Sequence, residues 1–371
     1  KRVQAIKTLE ILSKNAEERS AIVASGGAKL IVSLLGRPGD QVAPHEKIRL
    51  ANTLASLAIA PACRTVIVNA EAIAPLIRLL GGPLEAAQEA AAAALTSITA
   101  QKGTPASMVK GGVMDTLVAL LKVTEGEKVK TRGCELMANV LQGEIKERLP
   151  LAKAAVEAGA VLAIVPLLVV KEPDEVLIQA ARAMSYLPSD NATRKTAVEG
   201  GAFQALFELL VNGSDEVKEQ ALQGIASIIK IDEFEEEEEA EEGDDVPLQD
   251  PSELPGEVTP PDIGELLACG LLPQLVSLLL GPTAEIRHFA VYTFFQLAAR
   301  GDIEAQLRAA APLPALVSLM KDGKDAETRA WAISSLRLLA TSAEHREAIE
   351  RSVPMIDGRE NLLAKIRKLC F

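Results

Sequence analysis

The stretch that decides the fold is residues 197–230, AVEGGAFQALFELLVNGSDEVKEQALQGIASIIK. It divides into two helical patterns and two breaks. Gly200 and Gly201 end the segment before them. Residues 202–211 then place Phe203, Leu206, Phe207 and Leu210 at the spacing that gathers side chains on one face of a helix. Asn212 and Gly213 form a stop signal, because both residue types accept positive φ. Ser214 is placed to cap the next helix, and Asp215 and Glu216 put negative charge on its donor-rich first turn. Val217, Ala221, Leu222, Ile225, Ile228 and Ile229 form the apolar side of that helix. Two short helices cannot bury two such faces alone; they need neighbours of the same kind.

The rest of the chain supplies those neighbours. The Leu-x-x-Leu-Leu core at 206–210 has six relatives, at 31–35, 76–80, 117–121, 164–168, 275–279 and 316–320. Counted at the fourth residue of each, the spacings are 45, 41, 47, 42, 69 and 41. An all-helical period in the low forties predicts a solenoid whose units pack on their neighbours. Five of the seven copies carry Gly five residues before the core, at Gly26, Gly112, Gly159, Gly201 and Gly270, while Glu71 and Ala311 depart from it.

That glycine, with Glu157-Ala158-Gly159-Ala160 before one core and Glu219-Gln220-Ala221-Leu222 after another, resembles the armadillo family. HEAT repeats usually lack the glycine. The resemblance implies an all-α, right-handed superhelical solenoid of about seven full repeats. Each would run short helix, glycine turn, second helix, tight turn, long third helix. A partial repeat would precede them and a C-terminal cap would follow. Residues 1–231 then hold repeats, 232–262 an acidic insert, and 263–371 further repeats and the cap. Residues 1–14 read as a last helix with Val3, Ile6, Leu9, Ile11 and Leu12 turned inward. Because the chain does not open on Met, a segment before Lys1 is expected. Pro75, Pro273 and Pro314 fall in the first turn of second helices, where the missing N–H does no harm. Pro166 sits deeper and is expected to kink its helix or shift its start.

The 69-residue spacing contains IDEFEEEEEAEEGDDVPLQDPSELPGEVTPPDIGEL, residues 231–266. From 232 to 265 it has 16 acidic residues and no Lys or Arg, so the remainder of a chain of net charge −12 stands at +4. A run this charged, with five prolines, cannot bury apolar surface and is expected to form a mobile loop.

Composition excludes several functions. Aromatics are 3% of the chain, which argues against an aromatic-lined small-molecule pocket. The longest apolar run, 158–170, is 13 residues and too short for a membrane span. His45, His288 and His345 stand apart, and no Cys-x-x-Cys, phosphate loop or nucleophile elbow occurs. Cys63, Cys134, Cys269 and Cys370 read as buried free thiols of a reducing compartment. No cofactor, metal or enzymatic role is expected. No basic stripe with interleaved aromatics points to nucleic acid.

What remains is surface. In armadillo proteins the concave face lined by third helices usually holds an extended peptide or a partner's helix. The importin-α branch carries a ladder of Trp and, four residues later, Asn on that face. Here Trp331-Ala332-Ile333-Ser334-Ser335 matches the family's Trp-Ala-Leu-Ser-Asn, with Ser335 in place of Asn. The other matching pairs are Asn52 and Ser56, Ala93 and Ser97, Glu135 and Asn139, Arg182 and Tyr186, Gln223 and Ser227, and Tyr292 and Gln296. Only Asn139 keeps the Asn, so the ladder is absent and nuclear-localisation-signal binding is not expected. The resemblance implies a non-catalytic interaction scaffold or adaptor whose groove uses these residues, with Tyr186, Tyr292, Trp331 and Arg182 as main contacts. The insert would meet a basic surface, on a partner or among Arg182, Lys218, Lys230, Arg287 and Arg329. A cytoplasmic location is expected, with nuclear or cytoskeletal association open. Two alternatives stand beside this reading: the substrate-binding region of a ubiquitin-ligase-type protein, and a myosin-directed chaperone-like repeat domain.

Overall fold

The computed structural model describes residues 1–38, 41–230, 264–300, 303–322 and 326–339. All its described elements are helical. Helix α1 (Arg2–Leu12) precedes seven units of three helices. The first is α2 (Ala16–Ala24), α3 (Gly27–Leu35) and α4 (Pro44–Leu57), and the second α5 (Pro61–Asn69), α6 (Ile73–Leu80) and α7 (Glu85–Thr99). The third holds α8 (Thr104–Lys110), α9 (Val113–Val123) and α10 (Glu127–Leu141), and the fourth α11 (Ile145–Glu157), α12 (Ala160–Ile164) and α13 (Asp174–Tyr186). The fifth is α14 (Asn191–Glu199), α15 (Ala202–Asn212) and α16 (Asp215–Ile229). Beyond the insert come α17 (Gly264–Ala268), α18 (Leu271–Leu278) and α19 (Ala284–Ala299), then α20 (Glu304–Ala309), α21 (Leu313–Asp322) and α22 (Ala326–Leu339). The expected C-terminal cap lies outside the described residues, as does the insert.

The third helices pack side by side as one continuous layer, α1 on α4 and so on through α22, and the second helices lie against them. One hydrophobic core runs along the junction. Leu76, Leu117, Ile164, Leu206, Leu275 and Leu316, the first residues of six of the repeated cores, are fully buried, as is Ile31 in the first copy. Removing such side chains from water is the main favourable term holding each unit to the next.

The turn before each second helix has one backbone geometry. Gly26, Gly112, Gly159, Gly201 and Gly270 have φ of 83°, 82°, 92°, 81° and 89°. Glu71 and Ala311, where the sequence departs from glycine, have φ of 64° and 51°, and no other described non-glycine residue has positive φ. The turn therefore demands a left-handed residue in all seven units, and two units meet that demand against the steric preference of an L side chain.

Several local expectations need correction. Helix α15 does end at Asn212, but Gly213 is extended, at φ −77° and ψ 170°, not left-handed. Glycine is needed there for room: a Cβ would sit 2.6 Å from the Leu209 carbonyl oxygen and 2.7 Å from Val217 Cγ1. Ser214 occupies the cap position of α16 without a side-chain cap bond. Pro166 neither kinks a long helix nor shifts its start; it curtails the helix, α12 giving way to a single 3₁₀ turn, Val165–Leu167. Of the residues expected inward on α1, only Ile6 is buried and Leu9 partly so, while Val3, Ile11 and Leu12 are exposed. They lie off the face that α4 covers. Cys63 and Cys134 are buried free thiols, but Cys269 is exposed, next to the glycine turn before α18. Burial pushes the Cys134 thiol up to about 12, and the nearby Glu172 carboxylate adds to this. Cys370 lies outside the described residues.

Polar clasps join some neighbouring third helices. Arg2 on α1 donates to both carboxylate oxygens of Glu46 on α4, at 3.0 and 2.7 Å, and Arg49 on α4 pairs with Glu10. Lys130 on α10 reaches Glu172, just before α13, at 2.7 Å. Thr283, the N-cap of α19, donates to Glu219 on α16 at 2.9 Å. His288 on α19 and Thr328 on α22 are 3.2 Å apart, Nδ1 to Oγ1. The insert thus falls between two units whose third helices, α16 and α19, still pack as neighbours. No single helix among the described residues is long and apolar enough to cross a membrane; the α11–α12 pair, extended to Leu167 and bent by 69°, reaches the length and composition together.

Candidate functional site

All thirteen residues read from the sequence as groove contacts lie on third helices. Asn52 and Ser56 are on α4, Ser97 on α7, Glu135 and Asn139 on α10, Arg182 and Tyr186 on α13, Gln223 and Ser227 on α16, Tyr292 and Gln296 on α19, and Trp331 and Ser335 on α22. Eleven are half-buried. Gln296 and Ser335 are buried, at 2% and 0% exposure, and cannot be surface contacts as expected. The four-residue step leaves Ser56, Asn139, Tyr186 and Ser227 half-buried on their helices, so it is the packing of α19 and α22 that covers these two.

At four positions where the ladder has Asn, this chain has Ser bonded to its own helix. Ser56 donates to the Asn52 carbonyl at 3.0 Å, Ser97 to Ala93 at 2.8 Å, Ser227 to Gln223 at 3.0 Å and Ser335 to Trp331 at 2.8 Å. A hydroxyl spent on the carbonyl four residues back gives up its donor and cannot reach out as an amide does.

The single retained Asn is engaged too. Arg182 Nη2 donates to Asn139 Oδ1 at 2.9 Å and to Gln142 Oε1 at 3.2 Å, tying α13 to the end of α10. Glu135 accepts from Arg132 at 2.6 Å. Tyr186 lies under the Arg148 guanidinium, 5.7 Å from carbon to ring centroid, and burial lowers the pKa of that arginine from its usual value. Gln142 and Arg148 were not anticipated, because neither falls in the register of the Trp and Asn positions.

The aromatic residues of the last two described units do come together. Trp331 meets Tyr292 edge to face, with centroids 5.1 Å apart at 68°, and Phe295 at 4.8 Å and 43°. Phe295, three residues after Tyr292 and so on the same side of α19, is the member that the pairwise register missed. The Trp331 indole N–H is buried and has no hydrogen-bond partner among the described residues. Among the described residues no group of three or more His, Cys, Asp or Glu could hold a metal ion. Of the cations considered for docking the insert, Arg287 donates to the carbonyls of Gly281 and Pro282 at 2.6 and 3.2 Å, and Arg182 is committed as above.

Residues 60–100 match the family model for the Armadillo/beta-catenin-like repeat. That span contains α5, α6 and α7, one complete unit. No curated protein matches the chain in sequence. Among solved structures, an engineered protein superposes with a TM-score of 0.61 at 23% identity, covering 98% of this chain and 89% of its own. A designed armadillo repeat protein in complex with the peptide (KR)4 gives 0.58 at 24% identity, covering 72% of this chain and 99% of its own. Computationally designed armadillo repeat proteins for modular peptide recognition give 0.57 at 24%, with the same coverage. The matched segment is one of seven units built on a single plan, and the chain is an armadillo-repeat solenoid.

Proposed function

We propose that the chain is a non-catalytic scaffold that holds a partner's extended peptide or helix along its layer of third helices. The observation that carries this is the cluster of Tyr292, Phe295 and Trp331, half-buried on that layer in a chain only 3% aromatic, with an indole donor that is unpaired among the described residues. Aromatic side chains dominate binding energy at interfaces, and an unpaired buried donor gains from an acceptor brought by a ligand. A designed protein of the same architecture is in complex with a peptide, which supports the mode.

The test uses Trp331 itself, since it is the only tryptophan. Synthetic peptides of varied sequence are titrated while indole emission is followed. A binding peptide shifts that emission, and Tyr292→Ala with Phe295→Ala weakens it by about tenfold or more. A panel that binds without touching the emission, or a double variant that binds equally well with its helicity intact, puts the site elsewhere.

The acidic run 232–257 meets a basic surface of a partner in this reading. The prior commitment of Arg182 and Arg287 to Asn139, Gln142, Gly281 and Pro282 favours a partner's surface over the chain's own layer. Replacing the run with a short Gly-Ser linker weakens that partner at low salt and not at high salt, where the Debye length falls well below about 10 Å. Two buried free thiols, Cys63 and Cys134, support a reducing compartment such as the cytoplasm.

A further inference from the structure

A second surface lies at one edge of the solenoid, where second helices turn into the first residues of third helices in units one and two. A cavity of about 430 Å³ opens there between the two units. Its walls include Leu35, Val42, Leu79 and Leu84. Leu84 is 45% exposed. Three cations line the same cavity, Arg37, Lys47 and Arg78, and among the described residues no carboxylate does.

These cations are arranged, and two of them are uncommitted. Lys47 Nζ donates to the Arg37 carbonyl at 2.8 Å, which fixes the turn that presents Arg37. Arg78, from the second unit, lies back against the first: a Cβ on Gly36 would be 3.9 Å from its Nη2. Neither the Arg37 nor the Arg78 side chain has a hydrogen bond or ion pair among the described residues, and both are exposed. The next cavity along this edge, about 660 Å³ between units two and three, shares Gly82 and Pro83 with the first. It has the opposite character, lined by Glu85 and Glu125 with no cation among the described residues, and Val123 in its wall is 77% exposed.

We propose that this edge is a docking site for a short extended segment of a partner protein, with carboxylates beside an apolar anchor residue and a basic residue further along. The anchor enters the apolar cavity of units one and two. Its neighbouring carboxylates meet Arg37 and Arg78, whose planar guanidinium groups suit bidentate carboxylate binding. The basic residue lies over Glu85 and Glu125. Charge complementarity fixes the direction of the segment: reversed, it would set like charges against each other at both cavities.

The test uses the full chain and a fluorescein-labelled probe, Glu-Glu-Leu-Leu-Gly-Ser-Lys, followed by anisotropy at low salt. The probe binds saturably. The same probe with both leucines changed to serine binds about tenfold more weakly, because charge alone cannot fill an apolar cavity. Arg37→Ala with Arg78→Ala weakens the leucine probe by about tenfold or more. Leu84→Ser weakens it too, and all three positions are exposed, so circular dichroism and melting stay unchanged. Trp331 emission does not move, which separates this site from the third-helix layer. Equal binding of the serine probe, or undiminished binding by the double arginine variant, overturns the proposal. So does a probe that binds only after deletion of residues 232–257, since the chain's own acidic run would then be the occupant.

Discussion

Thr283 donates its hydroxyl to Glu219 across 64 residues of sequence, at 2.9 Å, while the same oxygen accepts the Ile286 N–H at 3.1 Å. One side chain therefore both starts α19 and fastens it to α16, the third helix on the far side of the acidic run. Thr283→Ala removes the cap and leaves Glu219 without that donor. A loss of about 1 kcal/mol is expected from the cap alone. Thr283→Ser keeps the oxygen and restores most of it. Urea unfolding of the two variants measures the difference; equal stability of both would mean that neither bond matters.

Glu71 and Ala311 hold a conformation that glycine holds without strain. Changing either to glycine removes a steric cost of about 1–2 kcal/mol and adds about 0.4–1 kcal/mol of unfolded-chain entropy. Each substitution should leave the chain slightly more stable, by about 0.5–1 kcal/mol. The opposite change, Gly201→Ala, should destabilise by a similar amount. A melting temperature that falls for Glu71→Gly would show that the glutamate side chain has a compensating contact.

Phe203 is fully buried at the centre of the fifth unit, stacked on the half-buried Phe207 with ring centroids 6.2 Å apart. Phe203→Ala should cost about 3–5 kcal/mol, and Phe207→Ala clearly less, because less of its area leaves water. Hydrogen exchange should show the loss concentrated in the fifth unit and its two neighbours, as nearest-neighbour stacking requires.

Two carboxylates give the stability a pH dependence. Bonds from Arg2 and the Ala43 N–H hold the Glu46 carboxyl below its usual range. Burial pushes Asp190 up, but the Thr193 N–H and Lys153, each at 2.9 Å, outweigh it and hold this carboxyl low as well. A depressed folded pKa gives stability that is complete above the unfolded value and is lost as pH falls through the folded one. The chain should therefore weaken below about pH 4, where unperturbed carboxylates begin to protonate. Glu46→Gln and Asp190→Asn should be less stable at pH 7 and show a shallower decline in acid. Parallel pH curves for the variants and the parent would rule these two groups out.

The repeat was legible because its signals are local. Seven copies of one apolar core, registered against a turn residue, determine where each second helix begins, and even Glu71 and Ala311 fell in register. Features set by neighbours were not legible. Gly213 looked like a left-handed stop, but Val217 and the Leu209 carbonyl, one turn away on either side, decide its role. Asn139 looked like a free rung until Arg182 from the next unit took its oxygen. Gln296 and Ser335 obeyed the four-residue step, yet the packing of α19 and α22 buried them. The cationic cavity arises from two turns 45 residues of pattern apart, and nothing in either turn alone announces it.

The clasps between third helices also divide the solenoid mechanically. Directional bonds join α1 to α4, α10 to α13, α16 to α19 and α19 to α22, and they resist sliding as well as separation. The alanine-rich α7 meets α4 and α10 through buried small side chains such as Ala87, Ala90, Ala91 and Ala94. Such an interface resists being pulled apart but opposes a small rotation only weakly, since dispersion contacts are numerous and have little direction. Bending is then unevenly distributed: the arch is stiff where helices are bonded and compliant about the second unit. The two oppositely charged cavities flank that compliant joint, so a segment spanning both would act as a brace, setting the local curvature as it binds.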